Sequence, residues 1–353
     1  MLSLKIERGA APLWLRPLLP LIVVVVTFAL VSVLIVWAGA NPVDAVYHLL
    51  LNPLSRTSAR ADILMMATPI LLTGVAVAVA FVCGYYNIGA EGQLYAGAIF
   101  AAWVGIHAEG LHPVIAISLM LCAGFIAGML WALLPALLKT WFSVDEVVTT
   151  LLLNSVMLFL VSALLNGPWR DPVSGWPQSP TIALSAQFPI IIPRSRVHIG
   201  FIVAVVTALI MWWVFVRTRF GLELRAIGKN REAAQFLGIP VRRRILAAAL
   251  ISGGIAGLAG VGEVGGIHYY LIGTLSPGFG YTGIIVATLG ALTMPGVVLS
   301  ALFLALINRG AISANRELDV PVYLSDIIQA ALLLVTLAVL LLNRYRIQIR
   351  WGR

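Results

Sequence analysis

The chain has 353 residues, 61% of them hydrophobic and only 10% charged, with two cysteines, five histidines and a net charge of +9. A mean hydropathy of +1.00, set beside the roughly 25% charged residues of a soluble domain, excludes a water-soluble globular protein and indicates a polytopic membrane protein. The basic excess is confined to particular loops, as orientation in a membrane requires, which argues against nucleic-acid binding.

In chain order, residues 1–16 carry Lys5, Arg8 and Arg16, with a short interfacial helix expected around Trp14. Pro17–Trp37 supplies about 20 apolar residues, enough to cross a bilayer. Ala38-Gly39-Ala40 resembles a signal-peptidase site, but the run exceeds a usual signal h-region and more spans follow, so an uncleaved first span is expected. Asn41–Ala61 is mixed, with Val46, Leu49 and Leu50 on one side, and is expected to be interfacial. A second span, Ile63–Val82, breaks at Cys83-Gly84, and after Tyr85–Gln93 a third runs to about Ala108. Val114–Leu138 offers Gly124 and Gly128 as a small-xxx-small packing face. Val147–Leu165 follows and contains Asn154. Residues 166–197, rich in Pro and Trp and carrying Arg170, Arg194 and Arg196, form the longest loop outside the membrane. Ile199–Val216 ends in a Trp212-Trp213 belt. Beyond the basic stretch 217–244 come Ile245–Val264, a broken region His268–Tyr281, and apolar runs at Thr282–Leu292, Val297–Ile312 and Ile327–Leu342. The expectation is an all-α single transmembrane domain over 1–353. It has about ten spans, or eight if the short 282–292 piece and a neighbour are re-entrant, and discontinuous helices near 83–93 and 265–281. Cys83 and Cys122 both lie in apolar runs and are read as core thiols, with no disulfide framework or metal spacing.

The stretch 217–244 holds eight of the 23 basic residues (Arg217, Arg219, Arg225, Lys229, Arg231, Arg242, Arg243, Arg244) against Glu223 and Glu232. Asn230 suits an N-cap, and Glu232 the positive end of the following helix. Ala233, Phe236 and Leu237 share a face, while Gly238 and Pro240 supply a stop. A seven-residue helix over 231–237 does not persist alone in water, so it needs something to dock against. A loop that only set topology or attracted anionic lipid needs charges, not a cap, an apolar face and a stop together. The N-terminus and C-terminus hold three and four further basic residues. Both ends and 217–244 are therefore expected to be cytoplasmic, with 166–197 outside.

No phosphate-cradling loop occurs, since Gly228-Lys229 lacks the upstream glycine and the Ser or Thr that would follow. The G-x-G-x-x-G at Gly260, Gly262 and Gly265 lies inside an apolar span, where close helix packing explains it better than nucleotide binding. With no catalytic cluster, an enzyme is a minor reading. Intramembrane polar groups are costly and become functional candidates. Glu91 and Glu263 sit at glycine-rich breaks, which often line a substrate path. Asn87, Gln93 and Asn154 can hydrogen-bond a polar solute, though interhelical bonding is an equal alternative. Tyr269, Tyr270, Phe279 and Tyr281 flank the second break. They can stack a ring-shaped ligand or simply anchor at the interface. The rival from another class is a proton-coupled secondary transporter with Glu91 or Glu263 as carrier.

Thr68-Pro69-Ile70-Leu71-Leu72-Thr73-Gly74 followed by Tyr86-Asn87-Ile88-Gly89-Ala90-Glu91-Gly92-Gln93 resembles the permease subunits of bacterial ABC importers for nucleosides and simple sugars. These lie within the branched-chain amino-acid/ribose permease superfamily. Asp145–Asn154, Leu224–Gly228, Gly238–Val241 and Ser276–Ile284 continue the pattern, and Gly290–Pro295 departs from it by being less polar. The resemblance implies a transport subunit that carries no catalysis and binds no cofactor, ATP and Mg belonging to a separate ATPase. It further implies a second, homologous permease and an extracytoplasmic binding protein or lipoprotein, in a bacterial inner membrane. Residues 217–244 become a cytoplasmic coupling loop, with Arg225, Asn230, Arg231, Glu232, Phe236, Leu237 and Gly238 facing the ATPase. From their burial and their place at the two breaks, Asn87, Glu91, Gln93, Asn154, Glu263, Tyr269, Phe279 and Tyr281 are expected to line the substrate path.

Overall fold

The computed structural model describes residues 2–8 and 19–351. Trp14 and its expected interfacial helix lie outside the described residues. The chain divides into two compact units, Leu54–Leu306 and a second made from Met1–Pro53 with Ile307–Arg353.

In the terminal unit, α1 (Leu19–Trp37) packs on α14 (Leu324–Arg344). Val23, Thr27, Val31 and Ile35 of α1 are buried, as are Ile328, Leu332 and Thr336 of α14. Both series repeat every four residues, so each helix turns one stripe inward and leaves the rest apolar and outward. The segment expected to be interfacial is helical and packed, through α2 (Pro42–Val46), a π turn at Tyr47–Leu51 and α3 (Asn52–Ser55). Leu49 is fully buried, and its carbonyl lies so near Gly310 that a Cβ there would meet it at 2.1 Å. Strand β1 (Leu2–Arg8) pairs antiparallel with β2 (Tyr345–Trp351), Leu2 opposite Trp351 and Arg8 opposite Tyr345. This small sheet is an addition to an otherwise helical chain.

The larger unit is built on α4 (Thr57–Phe81), α5 (Ala90–Ile106), α6 (Pro113–Phe142) and α11 (Val241–Glu263). Around these stand α7 (Glu146–Asn166), α8 (Gly200–Arg217), α9 (Arg219–Lys229), α10 (Arg231–Phe236) and α12 (Phe279–Leu289). Helix α13 (Met294–Leu318) runs from this unit into the other. Each of the ten apolar segments read from the sequence is a helix. Six of the described helices are long and apolar enough to cross a membrane: those beginning at Thr57, Pro113, Glu146, Gly200, Val241 and Met294. With 11 residues, α12 rises only about 16 Å and cannot cross a hydrocarbon core of about 30 Å.

Glycine makes the centre of this unit. A Cβ on Gly97 of α5 would meet the carbonyl oxygen of Gly257 at 2.2 Å, and one on Gly128 of α6 would meet that of Gly253 at 2.1 Å. Three helices thus approach backbone to backbone, the arrangement expected of Gly124 and Gly128. The G-x-G-x-x-G belongs to the same seam, for a Cβ on Gly260 would lie 2.0 Å from the Leu94 carbonyl. One reading needs correction: Cys83 is buried as expected, but Cys122 is exposed on the outer face of α6 and is not a core thiol.

Candidate functional site: two helix breaks that meet

The chain leaves α4 at Val82 and re-enters helix at Ala90, and leaves α11 through a π turn at Val264–His268 to re-enter helix at Phe279. These two breaks converge. A Cβ on Gly280 would lie 2.2 Å from the backbone nitrogen of Glu91, so the first turns of α5 and α12 touch. The buried carboxylate of Glu91 accepts the Gly280 N–H at 2.7 Å and also engages the Ser276 side chain. Ser276 Oγ in turn accepts the N–H groups of Gly278 and Phe279, at 3.1 and 2.9 Å, and so holds the turn that leads into α12. Thr73 Oγ donates to the Phe279 carbonyl at 2.9 Å and ties α12 to α4.

Beneath the first break the polar side chains bond to one another. Asn87 Oδ1 accepts from Gly89 N–H at 2.9 Å and from Gln93 Nε2 at 3.1 Å. Its Nδ2 donates to Gln93 Oε1 and to Ser252 Oγ, both at 2.9 Å. An Asn side chain has two donor hydrogens and two acceptor lone pairs, so Asn87 is saturated by protein and has nothing left for a solute. Asn154 Oδ1 accepts the Gly92 N–H at 2.9 Å, while its Nδ2 donates to the Ile88 carbonyl at 2.9 Å and the Tyr281 hydroxyl at 3.2 Å. Tyr281 is 40% exposed. Glu146, buried and ion-paired with Lys139, accepts the Tyr86 N–H, and Thr150 accepts that of Ile88. Thr73, Thr150 and Ser276 lie in stretches that carry the family resemblance but do not stand out there as site residues, and Ser252 lies outside them. For Ser276, the Ser-Pro-Gly run ahead of an apolar stretch is also a usable turn signal; Ser252 is distant in sequence from its partners and carries none.

Glu263 and Tyr269 stand apart from this cluster. The nearest partner of the Glu263 carboxylate is His268 Nε2, at 3.6 Å. Tyr269 ends the π turn with φ +65°, and its carbonyl accepts the Ile182 N–H at 2.8 Å. Here the loop after α7 folds over the second break. Phe188 N–H donates to the Gly265 carbonyl and Ser179 N–H to that of Leu271, at 2.8 and 2.9 Å, so the interrupted helix still finds partners. The same loop buries His198 against Gly262 and Gly266. Its Nδ1 accepts the Gly200 N–H at 3.1 Å, and burial pushes the imidazole down to about 4. At the loop's tip, the Ser174 hydroxyl and the Val173 N–H hold the Asp171 carboxyl below its usual range.

The basic stretch forms two helices, with α10 ending at Phe236 and Leu237 as its C-cap, one residue earlier than expected. Asn230 Oδ1 accepts the Ala233 N–H at 3.0 Å, and Gly238 adopts φ +79°, the left-handed conformation glycine permits. Ala234 is buried, whereas Phe236 and Leu237 are 94% and 74% exposed. Helix α9 is tied to the first turn of α11, just beyond this tip: Arg244 pairs with Glu223, and its guanidinium lies 5.6 Å over the Phe220 ring. Arg225 Nε donates within α9 to the Gly221 carbonyl, while Arg231 and Glu232 are exposed at the start of α10. A Cβ on Gly228 would lie 2.0 Å from the Val82 carbonyl, so α9 rests directly on the first break.

Residues 59–337 match the branched-chain amino acid transport system / permease component family. A glucose ABC transporter permease protein of Haloferax volcanii is 33% identical, over 98% of this chain and 93% of that one. A guanosine ABC transporter permease protein of Bacillus subtilis is 36% identical over 90% and 92%. A second, different guanosine permease protein of the same organism is 28% identical over 56% of this chain and 64% of its own.

Proposed function

Since the chain belongs to the branched-chain amino acid transport system permease component family and is a transport subunit rather than an enzyme, we propose that it imports nucleosides with power from a separate ATPase. That ATPase binds ATP and Mg, and this chain needs neither. A homologous but non-identical permease completes the pathway, a pairing favoured by the two distinct guanosine permeases of one Bacillus. A binding protein or lipoprotein delivers solute to the loop 166–197. The setting is a bacterial inner membrane with both ends and 217–244 in the cytoplasm. The pairing of β1 with β2 supports ends on one side.

The observation that carries this reading is α10. A capped six-residue helix with an almost fully exposed Phe236 at its end is unstable in isolation and suits a groove on a partner. Arg231 and Glu232 flank the face that docks, and Leu237 and Gly238 end it. Movement of α10 reaches α9, and through Gly228 the break that carries Glu91, where solute passes by alternating access. Tyr281, Asn154 and Glu91 stand beside that passage, Phe279 borders it, and Glu263 and Tyr269 stand toward its other end. Asn87 and Gln93 hold the break in shape.

The test is uptake of labelled guanosine by proteoliposomes holding this chain, its partner permease and ATPase, with binding protein outside and ATP inside. Phe236→Asp is expected to lower ATP-driven uptake at least tenfold while the chain stays folded. Uptake by this chain alone under a proton gradient, indifferent to ATP and to Phe236→Asp, overturns the proposal. Simple sugars are the second reading, favoured by the glucose permease relative. Ribose or glucose uptake exceeding that of guanosine selects it.

A further inference from the structure

We infer that the irregular segment Gly273–Gly278, with the Tyr281 ring, forms a wall of the solute path and takes polar, uncharged solutes. The inference rests on the permease role above and names the surface that role lacks.

Its basis is irregular backbone at bilayer depth. Tyr95 lies in the sixth position of α5, a helix of 17 residues and so about 25 Å long. The Tyr95 hydroxyl donates to the Gly273 carbonyl at 2.9 Å and accepts the Ser276 N–H at 3.1 Å. The segment therefore runs beside the helix well inside its length, from Leu271, bonded to Ser179, down to Gly280, bonded to Glu91. Non-helical backbone at such depth is tolerated only where protein buries it or where it lines an aqueous cavity, because hydrocarbon offers it no hydrogen bonds. Leu275 is buried, but Gly273, Thr274 and Pro277 are exposed. Lipid is thus excluded as their neighbour, and water in the transport path suits a polar Thr274 on a face that this chain leaves open. Tyr281, one turn further, presents a ring steadied by its bond from Asn154.

The chemistry of this wall sets the solute class. Residues 269–281 contain no charged side chain. The acid that reaches the segment, Glu91, is engaged by Gly280 and Ser276. A zwitterion or a phosphate would lose its hydration without a counter-charge. A hydroxyl-rich neutral molecule instead finds the Thr274 hydroxyl, backbone groups and an aromatic face.

The experiment uses the assembled transporter in proteoliposomes, with Cys83→Ala and Cys122→Ser as background. Thr274→Cys is reacted with a charged methanethiosulfonate. Leu130→Cys, an exposed apolar position on α6, serves as the comparison. Thr274→Cys is expected to react at least tenfold faster, and saturating guanosine or glucose, but not leucine, to slow it at least fivefold. Should Thr274→Cys fail to assemble, Tyr281→Cys gives the same reading. Reaction no faster than at Leu130→Cys, no protection by any solute, or protection by leucine alone overturns the inference. Protection by glucose without any guanosine uptake leaves the wall standing and removes only the nucleoside reading.

Discussion

Asn87 illustrates how a polar residue in a membrane protein can be indispensable without touching cargo. All four of its hydrogen-bonding valences are filled from Gly89, Gln93 and Ser252. Removing it strands at least two buried partners, and each unpaired buried group costs about 1–3 kcal/mol. Asn87→Ala is therefore expected to destabilise the chain by about 3 kcal/mol or more, read as a fall in thermal midpoint in detergent. Solute selectivity among the molecules that survive should not change; a selectivity change at full stability would return Asn87 to the solute path. His198 is a second case. Burial depresses it from 6.5 to about 4, so the unfolded chain takes up a proton at a pH where the folded one does not. Stability is then full above about pH 6.5 and falls as pH drops toward 4, by about 3 kcal/mol in total. His198→Asn keeps an acceptor near the Gly200 N–H and should remove that slope from a pH series of unfolding midpoints.

At the scale of elements, α5, α6 and α11 are held by what their glycines leave out. Gly97→Val would drive a side chain into the backbone of Gly257, where no rotamer relieves the clash. A loss of about 3 kcal/mol or more is expected, at the upper end of overpacking, with a lower yield of folded protein. Gly228→Val tests a different contact. It separates α9 from Val82 without touching Phe236 or the solute wall, so ATPase binding should persist while ATP-driven uptake falls at least fivefold. Uptake at the wild-type rate would show that the basic helices move independently of the first break. The capped helix α10 was legible in the sequence because its signals are local: an Asn cap, a short apolar face and a glycine stop. Gly228 against Val82 was not, since nothing in either stretch announces a neighbour almost 150 residues away.

For the whole molecule, the ten apolar segments, both helix breaks and the membrane class could be read from composition and periodicity, because burial in hydrocarbon acts on each segment separately. The same logic named Glu91 and Asn154, whose polarity inside apolar runs is conspicuous. It grouped Glu263 and Tyr269 with them, although the fold places those two beside His268 and the covering loop. It left Asn87 and Gln93 open between a polar solute and bonding within the protein, and their amides bond each other. Length already marked the 282–292 piece as short enough to be re-entrant, and α12 is indeed too short to cross; hydropathy does not reveal that Thr274 rather than the named amides is exposed. Local propensity and segment hydrophobicity are properties of neighbouring residues, and the sequence by itself determined what depends on them: class, helices, caps and breaks. Which polar groups satisfy one another and which stay open to solute is set by pairings across dozens or hundreds of residues, and only the tertiary structure decided that.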